Sequence, residues 1–314
     1  MPVRNEGFYI NQSLQAIVTQ EYPKDSMEII VVDGMSDDNS RTAISDFDVQ
    51  ILDNSAKIVP RALNIGLAHS KGDIIIRIDG HCKISSNYVS QCVQLLQETG
   101  ADNVGGSQWA VGTNIISKAI AIATSSPFGV GNSYFHFSTK PAWVDSVYLG
   151  AYRRDVFARI GNFDEELVRN QDDELNFRLR QAGGKIWFDP SLKVKYYCRS
   201  SLGKLWKQYF QFGFFKVRVI QKRKALSSWR HLIPATFVLG LVGSLSVGLI
   251  IQNIIILFSV VGPYMIANLT ISVFSTRHNL QLLPLLPLAF FILHFSYGLG
   301  FLWGLWKWRK HWFT

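Results

Sequence analysis

Hydrophobic patterning divides the chain into two regimes. Over roughly the first 190 residues, short apolar runs alternate with segments of helical period. Glu28–Asp33 (EIIVVD), Val49–Leu52 and Asp73–Ile78 read as strands, being brief β-branched runs bounded by polar positions. Between them, Ser40–Phe47 and Ile58–His69 read as helices, and Ser86–Thr99 reads as another, closed by Gly100. Asn103–Val111 reads as the next strand. This alternation predicts an α/β fold with a Rossmann-like, doubly wound, mostly parallel sheet. Its first strand is nearly absent, because Pro2-Val3-Arg4-Asn5-Glu6-Gly7 already looks like the turn that follows one.

Beyond Asp189 the period changes. Ser201–Ile220 sets Leu202, Leu205, Trp206, Tyr209, Gly213, Val217 and Ile220 on one helical face. Lys204, Lys207, Lys216 and Arg218 flank it, which predicts an amphipathic helix in a membrane interface. The same pattern also fits a helix packed on a soluble domain. No Asp, Glu, Lys or Arg then occurs between Arg230 and Arg277. Segments 232–252, 254–274 and 282–306 are each long and apolar enough to span a bilayer. The brief link at Gln252-Asn253 leaves open a re-entrant hairpin for the first two. The expected organisation is an α/β domain at 1–200, an interface helix and basic linker at 201–229, and a membrane domain at 230–314.

Charge sharpens the division. The chain carries 32 Lys and Arg against 23 Asp and Glu, net +9, but Asp189 is its last acidic residue. The front is therefore net −6 and the rear +15. Such a basic, greasy rear points to a lipid bilayer with anionic headgroups and not to nucleic acid. Cys82, Cys92 and Cys198 show no metal or disulfide spacing, which suits a reducing cytosol.

Four constellations carry candidate chemistry. In Ile74-Ile75-Ile76-Arg77-Ile78-Asp79-Gly80-His81 an apolar strand ends in a carboxylate and an imidazole, where open α/β sheets bind ligands. Asp79 and His81 flank a glycine, so both can reach one divalent metal carrying a diphosphate; a strand followed by a polar turn is the plain alternative. In Val31-Val32-Asp33-Gly34-Met35-Ser36-Asp37-Asp38, Asp33 can accept from a base N–H, while Asp37 and Asp38 suit helix capping. Before the Ile74 strand, Arg61 or Lys57 either neutralises phosphate or lies on a solvated helix face. In Asn170-Gln171-Asp172-Asp173-Glu174, the carboxylates either cap a helix or supply a general base at Asp172. Residues 127–141, with Gly129, Gly131 and Asn132, and the Trp143 region read as an acceptor loop or as plain surface.

Together and in this order, these motifs resemble the inverting glycosyltransferases of family 2, which have the GT-A fold. Pro2, Asn5 and Glu6 match the family's first nucleotide-binding turn, and Val31-Val32-Asp33 its uridine-binding strand end. Asp79-Gly80-His81 stands where the family keeps Asp-x-Asp, with histidine replacing the second aspartate. Gly150, Arg153-Arg154-Asp155 and Gly161-Asn162-Phe163-Asp164-Glu165 resemble the acceptor-side segment. Gln171-Asp172 stands where the family has Glu-Asp, and the interval from Asp172 to Arg178 is kept. The resemblance is nearest to bacterial, membrane-anchored exopolysaccharide glycosyltransferases of the succinoglycan type. Gln208-Tyr209, Phe212-Gly213 and Lys216 look like that branch's interface helix. The Gln-x-x-Arg-Trp signature of processive synthases is missing, which argues against polymer translocation.

The resemblance implies a catalytic base, Asp172, and a nucleotide-sugar site of Pro2, Asn5, Glu6, Asp33, Arg61, Asn64 and Asp79. It implies Mg²⁺ or Mn²⁺ on Asp79 and His81, and acceptor-side residues Gly150, Asp173 and Arg178. The expected partners are a nucleotide-sugar donor, a polyprenyl-linked saccharide acceptor, the bilayer and a polysaccharide-assembly complex. The expected location is the inner cell membrane, multi-pass, with the catalytic domain cytosolic. A catalytically inactive scaffold, or a nucleotide-binding partner of a synthase complex, is the alternative reading.

Overall fold

The computed structural model describes residues 1–131, 134–226 and 228–312. In chain order the first elements are β1 (Pro2–Val3), α1 (Ile10–Val18), β2 (Ile30–Asp33), α2 (Ser40–Ser45), β3 (Gln50–Asp53) and α3 (Val59–His69). Then come β4 (Ile74–Ile76), β5 (Cys82–Ile84), α4 (Tyr88–Thr99), β6 (Asn103–Val111), α5 (Ile115–Thr124), α6 (Pro127–Val130) and α7 (Tyr134–Phe137). After these lie β7 (Ala142–Trp143), β8 (Tyr148–Arg153), α8 (Asp155–Ile160), α9 (Gln171–Gln181) and β9 (Ile186–Tyr197). The rear is helical: α10 (Leu202–Arg223), α11 (Ile233–Ile250), α12 (Ile255–Thr276) and α13 (Leu286–Lys307). They form two compact units, Met1–Trp109 with Ser133–Tyr197, and Ala110–Asn132 with Cys198–Thr314.

In the first unit, β1, β2 and β3 form a parallel sheet, with Val31 and Val32 buried and Asp33 at its carboxyl edge. The other strands run β4-β8-β6-β9-β5, with β7 on β9. Here β4–β8, β6–β8, β5–β9 and β7–β9 pair antiparallel. The α/β expectation holds, but the sheet is mixed: β1–β3 are parallel, whereas β8 runs antiparallel to both β4 and β6, and β9 antiparallel to β5 and β7. Gly100 ends α4 in the left-handed region, at φ 65°, as its position after the helix predicts.

β1 is two residues long, and β1 and β4 are both edge strands. Between Met27–Ile30 and Ile74–Ile78 lies a cavity of about 1010 Å³, lined largely by aliphatic side chains such as Ile17, Leu63 and Leu96. The Met1 ammonium donates to the Ile30 carbonyl at its rim.

The second unit takes in residues 110–132, which the sequence reading assigns to the α/β part (1–200). The cause is α5, whose Ala119, Ile120, Ala121 and Ala123 are buried and which packs on α13. Gly129 sits against the end of α5, so Pro127–Val130 form a short packed helix rather than open loop, with Gly131 as its C-cap; Asn132 lies outside the described residues.

Among the described residues three helices are long and apolar enough to cross a membrane: Ile233–Ile250 with the short turn before it, α12 and α13. The first two are full-length helices joined at 251–254, where Gln252 turns with φ 51°. Their polar side chains are used internally. His294 bonds the Tyr264 hydroxyl at 3.0 Å and the Phe128 carbonyl at 2.7 Å, and Asn268 donates to the Pro287 carbonyl at 3.0 Å.

The apolar face predicted for α10 exists, with Leu205, Gly213, Val217 and Ile220 buried, but α13 covers it. Lys216, predicted as a flank, is buried too. Close approach is possible because small residues meet backbone: a Cβ at Gly213 would run into the Tyr297 carbonyl, and one at Gly300 into the Phe210 carbonyl. Gly203, on the same helix, faces open space. Gly213→Ala should therefore destabilise the chain by about 1–3 kcal/mol through overpacking, while Gly203→Ala leaves it unchanged or firmer. Melting of the detergent-solubilised protein checks both.

Candidate active site

The site is built on the exit of β4. Arg77 and Asp79 lie two residues apart, so an extended chain sends both side chains to one face. Arg77 donates to Asp79 through Nε–Oδ1 at 3.0 Å and Nη2–Oδ2 at 3.2 Å, a two-pronged ion pair in which both side chains are nearly buried. Burial alone would raise the Asp79 carboxyl, but Arg77, and then His81, outweigh it and hold it below the usual carboxylate range. Burial would likewise lower Arg77, and Asp79 followed by Asp172 more than reverse that, so the guanidinium stays charged.

Asp172 arrives from the first turn of α9. Its Oδ2 lies 3.6 Å from Arg77 Nη1, and its Oδ1 accepts from the Asp173 amide at 2.9 Å. The side chain keeps 39% of its accessibility, so the carboxylate that meets the buried guanidinium also faces solvent. One turn further, Asn176 fixes the helix from below: its Oδ1 accepts from Asn103 Nδ2 at 2.9 Å and the Tyr152 hydroxyl at 3.2 Å, and its Nδ2 donates to Ser146 at 2.9 Å. Asp172 is thus carried on an anchored turn.

His81 follows Asp79 across Gly80. Its Nδ1 donates to Glu6 Oε1 at 2.9 Å, and its ring packs edge-on against Tyr196. A carboxylate on Nδ1 fixes the tautomer of the neutral ring and leaves the Nε2 lone pair for a ligand, an arrangement common behind metal-bound imidazoles. Among the described residues no group of three His, Cys, Asp or Glu is placed to hold a metal. Asp79 and His81 are the residues here that could hold a divalent ion of the kind that takes one or two protein ligands and completes its shell from phosphate oxygens and water.

The turn after β1 and the turn after β2 are laced together. Asn5, at φ 56°, exchanges bonds with Asp37: Nδ2 donates to Oδ1 at 2.8 Å, and Oδ1 accepts from the Asp37 amide at 3.1 Å. The Asn5 amide donates to the Ser36 hydroxyl, the Glu6 amide to Ser40, and the Gly7 amide to Asp38. Asp33 is fully buried; it accepts from the Ser36 amide and hydroxyl and lies 3.5 Å from Arg41. Asp38 also accepts from the Ser40 amide at the start of α2, the capping role its position suggests, while Asp37 is tied to Asn5 instead. Pro2 pairs with Val32 beneath these turns.

Several predicted site residues are engaged elsewhere. Arg61 pairs with Glu165 at 3.1 Å. Asn64 donates to the Phe163 carbonyl and to Glu165, each at 2.9 Å, and accepts from the Phe163 amide at 3.0 Å. Both therefore clasp the 163–165 loop. Arg178, expected on the acceptor side, forks onto the buried Glu174 at 2.6 and 2.9 Å and donates to the Ile160 and Asn162 carbonyls. It closes the loop between α8 and α9. Gly150 lies within β8, where its carbonyl accepts from the Arg77 amide at 3.2 Å, so it supports the β4 exit through backbone. Asp173 is half-buried beside Asp172. The residue that the sequence reading passes over is Arg77. Its signal was present: a cation inside an apolar run must be paired once buried, and the aspartate two positions on is the first carboxylate on its face.

The model of Glycosyl transferase family 2 matches residues 1–161. The chain is similar to the succinoglycan biosynthesis protein ExoA of Rhizobium meliloti, with 30% identity over 74% of this chain and 73% of ExoA. It is also similar to the dolichyl N-acetyl-alpha-D-glucosaminyl phosphate 3-beta-D-2,3-diacetamido-2,3-dideoxy-beta-D-glucuronosyltransferase of Methanococcus voltae, with 26% identity over 98% and 96% of the two chains. Among solved structures, the mannosyltransferase PcManGT from Pyrobaculum calidifontis in complex with GDP-Man and Mn²⁺ superposes with TM-score 0.58 at 15% identity, over 98% of this chain and 86% of that one. S. aureus TarS 1-349 in complex with UDP superposes with TM-score 0.51 at 16% identity, over 98% and 90%. At such identities the two likenesses establish the fold, which is GT-A.

The clasp reading of Arg178 has a measurable consequence. Arg178→Met leaves the Glu174 carboxylate buried without its partner and should cost about 3–5 kcal/mol. Glu174→Gln in the same chain should recover a large part. Chemical denaturation of the single and double variants checks this.

Proposed function

The chain belongs to glycosyl transferase family 2, and from that premise we propose that it moves one sugar from a UDP-sugar donor to a hydroxyl of a lipid-linked saccharide, inverting the anomeric carbon. The observation that carries this reading is the meeting of Asp79 and Asp172 on one guanidinium. It supports a solvent-facing carboxylate that can serve as base close to a second carboxylate that can serve the leaving group, the two roles that single displacement needs.

In this reading Asp33 and the laced turns at Asn5–Glu6 and Ser36–Asp38 receive the nucleoside. Asp79 and His81 would hold Mg²⁺ or Mn²⁺, which when bound neutralises the diphosphate leaving group. Glu6 orients His81 for that task. Asp172 accepts the proton of the acceptor hydroxyl as its oxygen attacks C1. The new O–C1 bond forms while the bond from C1 to the diphosphate oxygen breaks, and UDP leaves with the electron pair.

A polyprenyl-linked acceptor is supported by the dolichyl phosphate in the name of the M. voltae relative and by the three long apolar helices. The same helices, and the basic run from Lys193 to Arg230, support a multi-pass protein of the inner membrane with a cytosolic catalytic unit. The resemblance to ExoA supports a step in exopolysaccharide or cell-surface glycan assembly.

Membranes containing the full chain, supplied in turn with labelled UDP-glucose, UDP-galactose, UDP-N-acetylglucosamine and GDP-mannose, test the reading by the appearance of labelled lipid. One UDP-sugar should label; transfer from GDP-mannose alone would overturn the donor assignment. Asp172→Asn should lower turnover by about 10²–10⁴-fold with UDP binding retained, and near-normal turnover would remove Asp172 as the base. Chelator should stop labelling and Mn²⁺ restore it; labelling that persists in chelator counts against the metal.

A further inference from the structure

Arg77 has a task beyond balancing charge. Its guanidinium contacts both reactive carboxylates: Nε and Nη2 on Asp79, and Nη1 on Asp172. The two carboxylates belong to separate parts of the unit, one leaving β4 and the other opening α9. Arg77 itself is fixed. Its amide donates to the Gly150 carbonyl, and its side chain is nearly buried. A planar fork held this way spends two edges on one aspartate and offers its remaining nitrogen in a defined direction.

We propose that Arg77 is the positioning residue for transfer: it sets the distance between the donor-side carboxylate Asp79 and the base Asp172, so that the acceptor oxygen attacks in register with the departing diphosphate. The inference rests on the reading of Asp172 as base. In this role Arg77 acts through the two aspartates that its guanidinium holds. A lysine keeps the charge, but a single ammonium has no planar fork with which to grip Asp79 and still present a fixed donor to Asp172. Misplacement of reacting groups by about an ångström lowers turnover by about 10²-fold.

The experiment compares wild type, Arg77→Lys, Arg77→Ala and Asp172→Asn as full-length chains in membranes, using the UDP-sugar that labels lipid. Arg77→Lys should lose about 10²-fold in kcat while the KM for the UDP-sugar changes by less than threefold. Added guanidinium ion should raise the kcat of Arg77→Ala at least tenfold and leave Asp172→Asn unchanged. Melting of the detergent-solubilised variants and UDP binding by calorimetry accompany the kinetics. Wild-type kcat in Arg77→Lys overturns the proposal. So does a loss in Arg77→Ala that guanidinium leaves unrepaired in a chain that still binds UDP, or a loss that follows the melting temperature alone. Normal turnover in Asp172→Asn instead overturns the base assignment, whatever the Arg77 variants do.

Discussion

The α/β unit is organised around a buried cation. Withdrawing a guanidinium from water costs several kcal/mol unless its hydrogen bonds and charge are met. Arg77 enters the interior at the end of an isoleucine run, so the protein must bring carboxylates to it, and it brings Asp79 and Asp172. Much else serves that meeting. Gly150 lends backbone to the β4 exit, and Asn176 pins the turn that carries Asp172. Two carboxylates thus meet on one guanidinium, and a third, that of Glu6, stands behind His81.

The outline of this arrangement is legible in the sequence, for a physical reason. Short β-branched runs mark the strands of the sheet, and the carboxylates that end or follow them stand out. Asp33 and Asp79 are found in this way, and Asp172 by the acidic opening of a helix. What the sequence hides is partnership across long separations. Arg61 and Asn64 look free in their own segment, yet their partners at Phe163 and Glu165 lie about a hundred positions away. Arg178 keeps a family interval but spends its donors on Glu174 and two carbonyls. Arg77 escapes notice for the opposite reason: its neighbours are so apolar that the eye passes over the one charge among them.

The second unit teaches the same lesson about faces. An amphipathic period shows that α10 has something to cover, but does not say with what. In the structure α13 covers it, through close contacts that Gly213, Gly300 and Gly304 permit. Interfaces between helices that have little water to exclude gain from such small residues, because backbones then touch over a longer length. The polar side chains of α12 and α13 follow the rule for groups far from water. Asn268, Tyr264 and His294 each find a partner inside the bundle, including the Phe128 carbonyl from α6.

The cavity beside β4 bears on how the protein behaves in company. Its walls are aliphatic, and β1 and β4 stand at the ends of their sheets, each with one side of its backbone unpaired by a neighbouring strand. Native edge strands are usually blunted by charge, by proline or by a covering element. Pro2 does this for β1, but Ile74–Ile76 carries three isoleucines and no such guard. An extended apolar stretch from any chain that reaches this slot finds a ladder to join and a greasy floor to lie on.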